Sequence, residues 1–283
     1  MTRKDIVIFI SGLTKQDLSF DDYSQKIIEV VSKFNLEQIK ESLLECGVIP
    51  ESFNHDSTEE KLYSKYTDVL LAKALEYLGI KSSVVKQRAD SADVEGITSE
   101  YSIVADAKAF RLSRTAKNQK DFKVEALSKW KKDKDFACLV SPLYQYPKNS
   151  SQIYRQAIDK NVTLLSYIHL VFMLSQKNAN KYSYKSLWLV SKKLKGAKDA
   201  ISYWKAIDKE IAKIFNKKVS EIEDSKNIEM ESMKNAAKEE MGYLENKINS
   251  IKVLSHKEAI LRLVKSEKLD SKIAQIKKVS GLK

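Results

Sequence analysis

Glycine and proline are scarce in this chain, with 7 and 3 among 283 residues, which excludes a collagenous or a disordered low-complexity class. Cysteine is scarcer still. Cys46 and Cys138 form no CxxC pair, and the three histidines, His55, His169 and His256, are scattered, so the spacing needed for a zinc site is missing. Two buried thiols in a reducing cytosol are the expected reading. Long apolar runs are also lacking. The most apolar stretch, Val162 to Leu174, is broken by Ser166, Tyr167 and His169 and falls short of the ~20 apolar residues that cross a bilayer. The run Ile6 to Ile10 follows Arg3-Lys4 as in a signal peptide, but it is shorter than the usual apolar region and has no small-residue cleavage site, so it reads as mature protein. No GxxxxGK[ST], GxGxxG or GxSxG occurs, which argues against nucleotide hydrolysis and serine-esterase chemistry.

What is present is charge and helical periodicity. Hydrophobic residues make up 43% and charged residues 31%, the balance of a helix-rich globular protein long enough to bury a real core. Lysine and arginine number 50 against 38 acids, a net +12 that favours a polyanionic partner, nucleic acid or an acidic membrane surface. Between Asp21 and Cys46 apolar residues recur at helical spacing, ended by Gly47 and Pro50, which predicts one or two helices. Ser57-Thr58-Glu59-Glu60 opens another as a capping box. Leu62, Tyr66, Val69, Leu70, Ala74, Leu75 and Leu78 form its buried face until Gly79, and Lys61, Lys65 and Asp68 are expected to lie elsewhere.

The pattern then changes to short runs with alternating Val and Ile, Ser82–Gln87, Asp93–Gly96 and Tyr101–Lys108, which read as a small meander. Residues 118–132 return to helical spacing, Phe136–Val140 suits a central strand, Gln152–Asp159 a helix and Val162–Ser166 another buried strand. The expected fold class is α/β, a mixed central sheet flanked by helices. Beyond residue 200 the stripe Ile211, Ile214, Phe215, Val219, Ile222, Met233, Ala237, Met241, Leu244, Ile248 and Ile251 predicts long amphipathic helices that serve as a bundle, a dimer arm or packing around the α/β core.

Chemistry is concentrated on the meander. Asp106 and Lys108 are two apart at the end of an apolar strand and share one face, and a hairpin joining residues 93 and 106 brings Asp93 beside them. Two carboxylates and a lysine in the pattern D-x(12)-D-x-K suit metal-dependent phosphodiester cleavage: oxygen ligands for Mg2+, and a lysine to orient or polarise the attacking water. Asp121-Phe122-Lys123 and Asp159-Lys160 are rival acid–lysine pairs, and a solvated surface explains any such pair equally simply. The segment that follows, Arg111, Arg114, Lys117, Asn118, Gln119, Lys120, Asp121 and Lys123, offers five cations in thirteen residues with two amides, able to hold phosphates and pair with base edges, or to be an ordinary polar loop.

At this point the sequence resembles the HindIII-type restriction endonucleases. The residues that carry the resemblance are Val104-Ala105-Asp106-Ala107-Lys108, Phe110 through Val124, Ala126-Leu127-Ser128, Trp130 and Asp133-Lys134-Asp135. A weaker likeness runs back through Ser57-Thr58, Glu60-Lys61-Leu62, Ser64-Lys65, Asp68 and Leu71 to Ala74, and forward through Gln145-Tyr146-Pro147 and Ser151-Gln152-Ile153. The resemblance implies a PD-(D/E)xK nuclease of the EcoRI-like branch, cytoplasmic in a microbe, that cuts double-stranded DNA at a palindrome, AAGCTT, as a Mg2+-dependent homodimer. It implies 5′-phosphate and 3′-hydroxyl ends and a cognate DNA methyltransferase in the same host. Asp93, Asp106 and Lys108 are the implied catalytic residues, and Asp93, Asp106, Ala107 and Glu60 the implied metal positions, with Glu60 also explained as a helix cap. Residues 111–123 are the implied DNA-reading segment. Residues 1–56 are expected to form a helical N-terminal region, 57–180 the catalytic and recognition core, and 181–283 a helical dimer or DNA arm. There are two departures: Ala92 stands where the signature has proline, and Lys86 where an acid is expected before Gln87-Arg88. A basic nucleic-acid-binding protein without catalysis, and a helical scaffold, are the alternative readings.

Overall fold

The computed structural model describes residues 1–85, 92–114, 119–194, 199–267 and 269–280. Expectations placed on Lys86, Lys117 and Asn118, and on the side chain of Gln119, lie outside the described residues. The chain divides into two compact units, Met1–Ala237 and Lys238–Lys283.

The first unit opens with three short helices, α1 (Arg3–Leu13), α2 (Phe20–Ser32) and α3 (Leu36–Glu45). Each starts at a reciprocal cap, Thr2 with Asp5, Ser19 with Asp22 and Asn35 with Gln38, so each first turn has its N–H groups satisfied locally. Helix α4 (Thr58–Tyr77) follows, capped by the Ser57 hydroxyl accepting from the Glu60 N–H. The reciprocal half of the expected capping box is displaced by one residue: the Glu60 carboxylate accepts from the Asp56 N–H at 2.6 Å. Gly79, at φ +83°, ends the helical course, and a Cβ there would lie 2.4 Å from the Asn180 carbonyl oxygen.

Five strands form one mixed sheet in the order β1 (Lys81–Val84), β2 (Val94–Ile97), β3 (Ser102–Ala107), β4 (Phe136–Val140), β5 (Val162–Leu165). The meander β1–β2–β3 is antiparallel, and β3–β4–β5 is parallel. Every residue of β4 and β5 is buried, as parallel strands covered on both faces must be. The crossovers carry α5 (Gln119–Phe122) and α6 (Val124–Trp130) between β3 and β4, and α7 (Gln152–Lys160) between β4 and β5. The single helix expected over 118–132 is thus divided, because Lys123 takes a left-handed φ of 50°. Helix α4 packs on β1, β2 and β3, α6 lies along β3 to β5, and α7 lies on β5.

After β5 come α8 (Tyr167–Leu174), α9 (Lys185–Trp188), α10 (Val190–Lys193), α11 (Ala200–Phe215) and α12 (Val219–Lys252), then α13 (His256–Ser266) and α14 (Leu269–Ser280). The first half of the predicted C-terminal stripe belongs to the core: Ile211, Phe215 and Ile222 are buried in the first unit. The second half, from Met241 to Ile251, is exposed. No helix is long and apolar enough to cross a membrane among the described residues.

Glu229 on α12 is buried, with one carboxylate oxygen accepting from the Leu143 N–H at 3.3 Å. Burial pushes its carboxyl up to about 8, only partly opposed by that N–H and by Lys226. The folded chain therefore keeps a proton that the unfolded chain has lost, and the stability this confers is full below the ordinary glutamate range and gone once the pH has risen through about 8. Glu229→Gln should remove that slope, up to about 1.4 kcal/mol per pH unit, so that urea unfolding of the variant varies less between pH 5 and 8 than that of the parent. Parallel pH profiles for the two proteins would contradict this.

Candidate active site

Three elements converge at the end of β3. In the β2–β3 ladder Val94 faces Ala105, so the same register sets Asp93, one residue before β2, opposite Asp106. The Val85 N–H donates to the Asp93 carbonyl at 2.9 Å and closes the neighbouring β1–β2 ladder beside it. Asp106 and Lys108 share a strand face, as their spacing predicts, and the Lys108 ammonium lies 2.6 Å from the Asp106 carboxylate.

The third element is one that the spacing argument misplaced. Asp68 is buried on α4, not carried off the apolar face, because the stretch Tyr66 to Ala72 is buried without a break. Its carboxylate accepts from the Ala107 N–H at 3.3 Å. Asp68, Asp93 and Asp106 each offer an oxygen within 4.8 Å of the others.

The electrostatics follow from that crowding. Burial first, then the neighbouring charges of Asp93 and Asp106, push the Asp68 carboxyl well above the usual range. Burial and Asp106 likewise raise Asp93, against the pull of Lys108 and Lys65. For Lys108 burial acts downward, but Asp106, with Asp68 and Asp93 behind it, outweighs burial and holds the ammonium above its ordinary value. Two buried carboxyls and the half-buried Asp93, with Lys108 the ammonium paired to Asp106, leave the pocket short of positive charge. An all-oxygen donor set of this kind fits a hard divalent cation such as Mg2+.

Glu60 is not part of this cluster. Its ligand oxygens group with His55 and Asp56 at the surface, and it pairs with Arg111 at 3.1 Å. The acid that α4 contributes beside Asp106 is Asp68, two turns further along the helix.

The rival acid–lysine pairs are engaged elsewhere. Asp121 pairs with Arg114, while the left-handed turn at Lys123 sets its ammonium 5.9 Å from the Trp130 ring. Asp159 lies at the surface, 3.5 Å from Arg155 on the next turn back.

The residues behind the cluster are fixed. The Tyr167 hydroxyl, at the first turn of α8, donates to the Lys108 carbonyl at 3.1 Å. That turn is itself held by Ser166 and His169. The Ser166 N–H donates to His169 Nδ1 at 3.0 Å, which leaves the proton on Nε2 to donate to Asp208 at 3.0 Å, and Lys226 completes the ion pair. His169, one of the scattered histidines, is thus a buried structural residue.

Comparison with known proteins accords with this geometry. The family model described as HindIII restriction endonuclease matches residues 14–280. The chain belongs to the HindIII restriction endonuclease family. It is 36% identical to the type II restriction enzyme HindIII of Haemophilus influenzae (strain ATCC 51907 / DSM 11121 / KW20 / Rd), over 98% of this chain and 95% of that protein. As a HindIII-family restriction endonuclease, the chain carries its acid cluster where α4 meets the mixed sheet, with its basic segment immediately downstream of β3.

In this HindIII-family chain the basic segment is tethered before it becomes exposed. Phe110 pairs with residues 47–49 in an isolated bridge through two main-chain hydrogen bonds, its N–H to the Gly47 carbonyl at 3.1 Å and its carbonyl from the Ile49 N–H at 3.2 Å. Arg111 folds back, donating to the Pro50 carbonyl at 2.8 Å and pairing with Glu60 at 3.1 Å. Phe122 is fully buried and stacks on Tyr146 with centroids 5.0 Å apart, anchoring α5. Around that anchor Arg114, Lys120 and Lys123 are exposed.

Proposed function

We propose that this restriction endonuclease hydrolyses double-stranded DNA at AAGCTT with Mg2+, leaving 5′-phosphate and 3′-hydroxyl ends. It acts as a homodimer in the microbial cytoplasm, alongside a cognate methyltransferase that protects the host's own sites. The observation that carries this reading is the convergence of Asp68, Asp93 and Asp106 beside Lys108. Asp93, Asp106 and Lys108 are the catalytic residues, with Asp68 as a further acid.

Asp68, Asp93 and Asp106 would hold the ion, and because Ala107 has only a methyl side chain, it can contribute only through its carbonyl. Bound there, Mg2+ would supply Lewis-acid stabilisation to the oxygens that enter and leave phosphorus. Lys108 stays protonated among three acids, so its role is that of a cationic donor: it orients the oxygen of the attacking water in line with the leaving 3′ oxygen and offsets charge gathering on the phosphoryl group. The Tyr167 hydroxyl, through the Lys108 carbonyl, keeps that ammonium in register with the acids. The water's proton leaves to solvent and the departing 3′ oxygen takes one up.

Residues 111–123 are assigned to reading the site. Lys117, Asn118, Gln119 and Lys120 supply base-edge and phosphate contacts. Arg114, Asp121 and Lys123 brace the segment while keeping cationic atoms at its surface. A palindrome needs one such segment per half-site, which two copies related by a two-fold axis provide.

A base-reading contact and a phosphate contact fail differently. Lys120→Ala should cost about 1–3 kcal/mol on the cognate duplex and much less on a scrambled one, in gel-shift titrations with Ca2+ in place of Mg2+. Lys131→Ala with Lys132→Ala should instead weaken both duplexes alike and flatten the salt dependence. Equal losses on both duplexes for Lys120→Ala would remove it from base readout. Plasmid linearisation that requires the hexamer, proceeds with Mg2+ and stops with a chelator is the expected result for the reaction as a whole.

A further inference from the structure

The second unit, Lys238–Lys283, is helical, yet among its described residues no apolar side chain is buried; the one buried residue is Glu240. A stretch of helix this long draws its stability from packing an apolar face, not from propensity. On the part of α12 in this unit that face is regular. Met241, Leu244, Ile248 and Ile251 are spaced three, four and three apart, the a and d positions of a heptad, and are 54, 37, 51 and 43% exposed. The hairpin helices repeat the pattern. Ile260 and Leu263 stand out from α13, which buries nothing, and Leu269 and Ile273 from α14.

The charges beside the seam select what can cover it. With Met241 and Ile248 at a, the flanking e positions hold Glu245 and Lys252, and Lys247 is at g. All three are exposed. A parallel second copy would bring Lys247 against Lys252 of the other chain, twice by symmetry, since parallel helices pair g with the following e. An antiparallel copy pairs e with e and g with g, so Glu245 meets Lys252 of the other chain twice, against a single approach of Lys247 to its own counterpart at the two-fold axis. Its core layers then match Met241 with Ile251 and Leu244 with Ile248.

We infer that this half of α12 is a self-association surface, and that Met241, Leu244, Ile248 and Ile251 pack antiparallel against the same four residues of a second copy. Four knobs a side are fewer than the roughly 20–30 residues of a stable interface, and the apolar residues of α13 and α14 complete it. An antiparallel pair has its two-fold axis across the helices, the symmetry that a palindrome also has. The inference rests on the two-fold reading proposed above and adds to it the surface, the register and the orientation.

The test is sedimentation equilibrium of the full chain. The parent should be a dimer, and Ile248→Glu a monomer whose circular dichroism still shows the parent's helix content. Glu245→Lys alone and Lys252→Glu alone should each weaken the dimer by about tenfold, because each places like charges together at two symmetric points. The double reversal, Glu245→Lys with Lys252→Glu, should restore the parent's dissociation constant. A dimer that survives Ile248→Glu overturns the surface. Failure of the double reversal to rescue overturns the antiparallel register. Variants that stay dimeric but lose affinity for DNA of any sequence overturn it in favour of a DNA-contacting arm. The reaction itself is scored separately, by plasmid linearisation: a parent that cuts without dimerising contradicts only this inference, and one that dimerises as described without cutting contradicts only the proposed reaction.

Discussion

Asp106→Asn should lower the rate of plasmid cleavage by about a thousandfold or more, the several kcal/mol that a lost metal ligand and its charge represent, while binding of the cognate duplex stays measurable. The amide keeps the size of the carboxylate but cannot supply its negative charge. The same change breaks the ion pair with Lys108, whose ammonium lies 2.6 Å from the carboxylate, so the lysine loses its position as well. The basic segment around Phe122 is anchored by aromatic stacking independent of Asp106, which is why recognition should outlast chemistry. Cleavage at the parent's rate would remove Asp106 from the site, and loss of cleavage in Asp121→Asn with intact recognition would move the chemistry to the rival pair.

Asp68→Asn should produce two effects of opposite sign. Cleavage should fall about a hundredfold or more, because one of three converging carboxylates is gone. The metal-free protein should become more stable, because the variant no longer carries a carboxyl whose ionisation burial, Asp93 and Asp106 all oppose, while its side-chain oxygen can still accept from the Ala107 N–H. A rise in melting temperature of about 2–4 °C for each kcal/mol relieved is the scale for a chain of this size. Such an opposition is the signature of a residue kept for function at the expense of stability. A variant that is both less stable and fully active would make Asp68 a structural residue. The stability measurement needs no Mg2+, so it reports on the cluster even where activity is lost.

Most of this site is legible in the residues, for identifiable reasons. Asp93, Asp106 and Lys108 lie in or directly beside short strands, where alternation decides which side chains share a face and a hairpin register decides which meet. Asp68 escaped because helical periodicity assigns faces on the assumption that a helix has one wet side. Helix α4 does not along Tyr66 to Ala72, where sheet and neighbouring helices cover it all round. A charged residue inside such a fully covered stretch is the signal that was available, and the likeness to HindIII-type enzymes passes through it.

Arg111 shows the converse. Its place in a basic run says nothing of its protein partners, and the tether of Phe110 to residues 47–49 turns it toward Pro50 and Glu60, a long-range contact that no local pattern contains. The break at Lys123 has the same origin, since the left-handed turn is needed to seat Phe122 against Tyr146 and start α6 at a new angle. The C-terminal stripe is a third case: a single periodicity ran through residues whose first half packs in the core of the first unit and whose second half faces outward.

Asp68, Asp93, Asp106 and Lys108 are proposed above as a Mg2+-dependent centre for cutting DNA at one palindrome. Complete digestion of a DNA of known sequence with the purified chain and Mg2+, followed by sequencing of every end and phosphatase-controlled labelling of the termini, tests it most directly. All ends should map to AAGCTT, both strands should be cut symmetrically, and each 5′ end should take label only after dephosphorylation. Ends scattered over unrelated sequences, cutting that persists in chelator, or intact DNA would contradict it.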